Sequence, residues 1–169
     1  MRRWVVLFTA ALVAGCGEAA LPAPELTSTE EVCAESFCVA FPSGWVQVVE
    51  GDSVSFTHPD SEEAIVFVSP VDMAWLMEST GSSWPASLEA VERAYWSLLA
   101  TPPLAPEQVV VSSGGWAESS GHLEGLPRWH AVFAIAGGPV AVAVTIELPA
   151  EAWRDHARAF LDGVTLLEE

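Results

Sequence analysis

Apolar residues along this chain mostly alternate with polar ones over short runs, the period of a half-buried β-strand. Phe37, Val39 and Phe41 give the first such run, and Pro42-Ser43-Gly44 turns the chain into an extended stretch over 45–49. Glu50-Gly51-Asp52 turns it again before a short strand carrying Val54 and Phe56, and His58-Pro59-Asp60 makes a third turn. Residues 64–68 are apolar at nearly every position, as in a central strand covered on both faces.

A less regular region follows over 70–83, with a helical piece near 71–78. The period then changes. Leu88, Val91, Tyr95, Leu98 and Leu99 form one stripe of a helix over 87–100, with Glu89 and Arg93 paired four residues apart on the wet side. Thr101-Pro102-Pro103 ends that helix.

The second half returns to strands at 108–112, 116–120 and 128–136. Trp129, Ala131, Phe133 and Ile135 share one face of the last of these, which leaves His130 on the other, less buried face. Gly137-Gly138-Pro139 then turns the chain into a run with Val140, Val142, Val144 and Ile146. Pro149 opens a final helix with Trp153, Ala157, Phe160 and Leu161 inward and Gly163 as its C-cap, and 164–167 adds a short edge strand. Strands, helix, strands, helix is the order of an α+β domain, an antiparallel β-sheet flanked by helices.

The amino terminus obeys a different grammar. Arg2 and Arg3 precede a largely apolar stretch of ten residues, Trp4 to Val13, and then small residues. That is the three-part pattern of a secretory signal peptide, and it is too short for the about 20 residues of a membrane-spanning helix. Val13-Ala14-Gly15-Cys16 resembles the lipobox of bacterial lipoproteins. The resemblance implies cleavage before Cys16 and a lipid thioether on its sulfur, usually with acylation (such as palmitate) of the new amino group. Several acyl chains give stable anchoring where one does not. Gly17 in place of Asp favours the outer membrane in a two-membrane cell. The expected organisation is a signal peptide over 1–15, a lipidated Cys16 with a flexible acidic tether over 16–34, and one domain over 35–169. The expected address is the cell envelope, membrane-anchored on the extracytoplasmic side.

With Cys16 assigned to lipid, Cys33 and Cys38 remain as an even pair for an oxidising compartment. Four residues separate them, so a disulfide requires a turn rather than a helix. Two thiols without a nearby His make a poor zinc site, and the spacing is not C-x-x-C.

Val39-Ala40-Phe41-Pro42-Ser43-Gly44-Trp45 resembles the opening strand of the PsbP-like family, in which an aromatic residue leads to P-x-G-W. Here Phe41 stands directly before the proline, a departure from that pattern. The later hairpin, the proline-started helix and the short terminal strand fit the same family over about 37–167. The resemblance implies an α/β/α sandwich. Its members are mostly binding or assembly proteins: a photosystem II subunit, a binder of a small GTPase, and bacterial lipoproteins. The basic docking residues of the photosystem subunit are not recognisable here, so none is carried over.

Charge narrows the partners. The chain has 6 basic residues against 23 acidic ones and a formal net charge of −17. All six basic residues are Arg, and two of them lie in the leader. Nucleic acid and anionic bilayer surfaces repel such a domain. The acidity reads as solubility or as adaptation to high salt.

Catalytic signatures are missing. G-x-S-x-G does not occur, S-x-x-K is impossible without Lys, and neither H-E-x-x-H nor an EF-hand loop is present. No cofactor or metal is implied. Two local possibilities remain. Trp75, Trp84 and Trp116 lie in irregular or edge segments and could line a groove for a ligand or partner, or cap the core under loops. His122 and His130 could form a carrier or hydrolase site if that stretch folds as a hairpin, or be one loop and one strand histidine. The expectation is a non-catalytic, lipid-anchored binding or assembly module with an envelope protein partner; the alternatives are a small-ligand carrier or hydrolase, or a spacer.

Overall fold

A computed structural model of the chain describes residues 23–26, 28–135 and 138–167. The leader and Cys16 lie outside the described residues.

The central layer is a seven-stranded antiparallel sheet. Its strands are β3 (Val46–Glu50), β4 (Ser53–His58), β5 (Ser61–Asp72), β6 (Gln108–Val111), β7 (Trp116–Leu123), β8 (Leu126–Ala134) and β9 (Val140–Glu147). Their spatial order is β3-β4-β5-β9-β8-β7-β6. A smaller sheet of β1 (Thr29–Cys33), β2 (Phe37–Pro42) and β10 (Val164–Leu166) covers one face together with α3 (Arg154–Asp162). The opposite face carries α1 (Met73–Ser79) and α2 (Leu88–Leu98). The result is the antiparallel sheet flanked by helices that the α+β pattern predicts, layered as the α/β/α sandwich that the family resemblance implies.

Two cores follow from these layers. Under β2 and α3, the inward residues of both sheets interdigitate: Phe41, Phe56, Val66, Ala131, Ile146 and Phe160 are all buried there. Under α1 and α2 the sheet offers small residues, Ala117, Val132, Ala141 and Ala143, against Met73, Leu76, Met77 and Val91. Small sheet residues let the two helices sit close. Asp72 caps α1 by accepting from the Ala74 and Trp75 amides at 2.9 and 3.1 Å, and Ser87 caps α2 from the Ala90 amide at 3.2 Å.

Among the boundaries that differ from the sequence reading, three have a clear physical content. Residues 29–33, expected in the tether, form β1. Four of its five residues are exposed, so no apolar period announces it; backbone pairing to β2 and the Cys33–Cys38 disulfide hold it. The two cysteines are direct partners across the hairpin, with Cα atoms 4.0 Å apart. Strand β5 continues through Pro70 to Asp72. The proline is tolerated because β4 ends its pairing at Val54–Val68, so beyond it β5 has β9 alone as a neighbour. The last helix begins as a 3₁₀ turn, Glu151–Trp153, before α3.

Gly163 does cap α3, but with φ −82°, a value any residue adopts. Its requirement is proximity. A Cβ there would lie 2.1 Å from the Ala40 carbonyl oxygen, where β2 and the start of β10 meet. Gly163→Ala should therefore destabilise the domain by about 1–3 kcal/mol, as overpacking does. Urea unfolding checks this; an unchanged midpoint would mean that the approach is not tight.

Candidate functional site

Three regions carry chemistry or exposed apolar surface. The first lies between α2 and the sheet. On its α2 face, Ser119 of β7, His130 of β8 and Thr145 of β9 stand in one cross-strand row. Glu92, fully buried, comes down from α2 onto that row. Its Oε2 accepts from Ser119 Oγ at 2.5 Å and is hydrogen-bonded to His130 Nδ1 at 2.8 Å. Trp96 Nε1 donates to Ser119 Oγ at 2.7 Å. Tyr95 stacks on the His130 ring, with centroids 3.5 Å apart and planes 10° from parallel. Its phenol oxygen accepts from Arg128 Nη1 at 3.2 Å and lies 3.4 Å from Thr145 Oγ1. Arg128 in turn pairs with Glu147. Burial raises the Tyr95 pKa above its ordinary value, so the phenol stays neutral.

Ser, His and Glu here do not form a nucleophilic relay. The serine proton is directed to Glu92, not to His130, and all three side chains are sealed from solvent. Attack on a substrate needs an exposed hydroxyl beside a free base. The cluster is therefore a polar pin between α2 and the sheet. Burying it is favourable only while its hydrogen bonds are made.

The second region is a cleft of about 200 Å³ between α3 and β6–β8, lined by Gln108, Val110, Glu118, Trp129, Arg154 and Arg158. Its cations are engaged. Arg158 donates to both Glu118 oxygens, at 2.9 and 2.8 Å, and Arg154 donates to Glu151 at 3.0 Å. Glu118 also raises the Arg158 pKa further. Arg158 thus ties α3 to the sheet through Glu118 as well as pairing along the helix with Asp162.

Next to it, Trp45, His58, Trp153, His156 and Phe160 form an aromatic cluster. Trp45 meets His58 at 5.4 Å and Phe160 at 5.0 Å, and His58 meets Trp153 edge-on at 5.1 Å. The chain entering the domain docks here: His156 Nε2 donates to the Pro24 carbonyl at 2.9 Å.

The third region is an uncovered part of the sheet. Helices α1 and α2 lie over β6–β9 and the end of β5, and β3, β4 and the first part of β5 extend beyond them. On that extension Val46, Val48, Ile65 and Phe67 are 55, 49, 39 and 44% exposed.

The sequence-derived site residues do not converge. Trp75 stands 62% exposed on α1. Trp84 packs beside the second core, whereas Trp116 lies on the other face of the sheet, 6.5 Å from Phe133. These tryptophans line no common groove. The histidine pair is also divided. Gly121 and His130 face α2, so His122, next after Gly121 on β7, faces the opposite side, where its Nδ1 meets Glu107 at 2.8 Å. A joint site at His122 and His130 is thereby excluded. His130 is buried rather than on a wetter face, because α2 covers it. Glu92 was missed, although it sits inside the apolar stripe, four residues after Leu88 and three before Tyr95. Among the described residues no three His, Cys, Asp or Glu side chains converge to hold a metal ion. None of their helices is long and apolar enough to cross a membrane.

No protein-family model and no curated protein matches the sequence. Solved structures do match in shape. The cyanobacterial PsbP of Synechocystis superposes with a TM-score of 0.58 at 10% identity, over 92% of this chain and 99% of that one. The Ran-binding protein Mog1p of Saccharomyces cerevisiae superposes at 0.61 with 9% identity, over 83% and 96%. A Bacteroides thetaiotaomicron protein reaches 0.46 at 15% identity, over 86% of this chain, which spans half (50%) of that one. The domain thus has the Mog1/PsbP-like α+β fold.

Two outcomes follow. Glu92→Ala removes the acceptor of both Ser119 and His130 in a dry site and should cost about 3 kcal/mol or more, against about 1–3 kcal/mol for Ser119→Ala, which strands the Trp96 donor. Equal, near-zero losses in chemical denaturation would refute the pin. Separately, desolvation lowers the His58 pKa below its ordinary 6.5; Asp60 opposes this and His156 adds to it. Folding then favours the neutral ring. Its contribution is complete above pH 6.5 and is lost as pH falls from there through the depressed folded value. Thermal melts across that window should show a fall in stability that His58→Gln reduces; an identical fall in the variant would remove His58 as its source.

Proposed function

We propose that this chain is a lipid-anchored protein of the bacterial cell envelope whose domain binds or assembles with a protein partner and catalyses nothing. The reading is carried by one combination: a lipobox-like Val13-Ala14-Gly15-Cys16 behind a charged, apolar leader, placed ahead of a Mog1/PsbP-like domain. Mog1p is described as a binder of Ran, and this chain shares its fold. Sequestration of the Ser119–Glu92–His130 cluster supports a binding role over a hydrolytic one. The strong negative charge favours a protein partner over nucleic acid.

The test is chemical. In the native product, Cys16 should be the first residue and should carry a diacylglycerol thioether, read by intact mass. Cys16→Ser should move the protein from the membrane fraction to the precursor form or the soluble fraction. An unmodified sulfur with the leader retained would overturn the anchor.

A further inference from the structure

The seven-stranded sheet has two edges, and they are treated differently. β6 at one edge has four residues, three of them exposed, and lies against α2. β3 at the other edge, Val46-Gln47-Val48-Val49-Glu50, is exposed at all five residues. It carries no Lys and no Pro, the residues that usually blunt an edge against pairing. Beside it lies the uncovered apolar strip. Register places Val46, Thr57 and Ile65 in one cross-strand row and Val48, Ser55 and Phe67 in the next, all on the α2 side of the sheet. Backbone donors and acceptors along an edge, next to alternating apolar side chains, are what an added strand needs.

Charge decides the occupant. Glu50 ends β3, and Glu62 and Glu63 precede Ile65 on β5. Glu147 continues the row of Ile65. The basic side chain in that row, Arg128, is buried and held by Glu147 and Tyr95. A second copy of this chain would bring the same acids to the same edge, at a net charge of −17 each. An anionic lipid surface is repelled likewise. The described chain also enters on the far side of the sheet, at Pro24 against His156 of α3.

We propose that the β3 edge and the exposed strip of β3–β5 dock an extended segment of a partner protein by strand addition, a segment with alternating apolar residues bracketed by Lys or Arg. This rests on the binding-module reading above and names its surface and the chemistry of its partner.

Photo-crosslinking in the producing cell tests it with the full-length chain. A benzophenone side chain is placed at Val48, at Phe67 and, as a comparison, at Trp75 on α1. Positions 48 and 67 should give a light-dependent adduct at least fivefold stronger than position 75. Sequencing of the crosslinked peptide should find a basic-flanked, alternating segment. Phe67→Arg should cut the adduct from position 48 at least fivefold while leaving the melting temperature of the purified protein unchanged, as expected for an exposed side chain. Adducts with a second copy of the chain, with lipid or with an acidic segment overturn the proposal. So does a dominant adduct from position 75, but that result keeps the binding-module reading and moves its surface. No protein adduct from any position sinks both.

Discussion

Everything in this domain depends on covering β8 and β9 twice. Their residues are apolar or buried on both faces, so each face demands its own layer. One layer is a second sheet with a helix, the other a helix pair. The second layer can sit close only because the strands beneath it present alanine and valine. Once the two helices occupy that site they cover only the end of β5 and not β3 or β4, and the outer part of the sheet is left open on one side. The exposed strip is thus a consequence of how tightly the centre is packed.

The polar row beneath α2 adds definition to that arrangement. Alanine and valine alone would let the helix slide along the sheet. Glu92 has its hydrogen-bond partners only when α2 is seated opposite Ser119 and His130, and Trp96 needs the same serine. Against Gly121, the Trp96 ring also leaves no room for a Cβ, which would lie 2.9 Å away. A buried charge-bearing group is weak support for stability in itself. Here its effect is to make one register of helix on sheet much better than its neighbours. The same device appears on the other face, where Arg158 ties α3 to Glu118 of β7.

Much of the fold was legible because period and turn residues agree along most of the chain. The succession of strands along the chain, the helix after Ser87 and the hairpin whose return strand begins at Val140 all follow from local signals that tertiary packing reinforces. What stayed hidden has specific causes. β1 is held by pairing and sulfur, which leave no hydrophobic period. β5 runs past a proline that is harmless only because of where β4 stops. Gly163 answers a contact with Ala40, not a turn. The site was read less well than the fold. Tryptophans in irregular segments were grouped by sequence, while strand alternation placed them on different faces, and the same alternation separated His122 from His130. Glu92 carries a polar group that gives no apolar signal, yet its helical neighbours at three and four positions, Tyr95 and Leu88, mark it as inward.

β1 is held by its ladder to β2, by the bond between Cys33 and Cys38 and by Val32 against the core, and the residues ahead of it are tied down at Ser28 against Ser43 and at Pro24 against His156. In a reducing milieu the β1–β2 hairpin keeps its ladder but loses its covalent closure, so the stretch ahead of Phe37 is secured less firmly there than where oxidant is present.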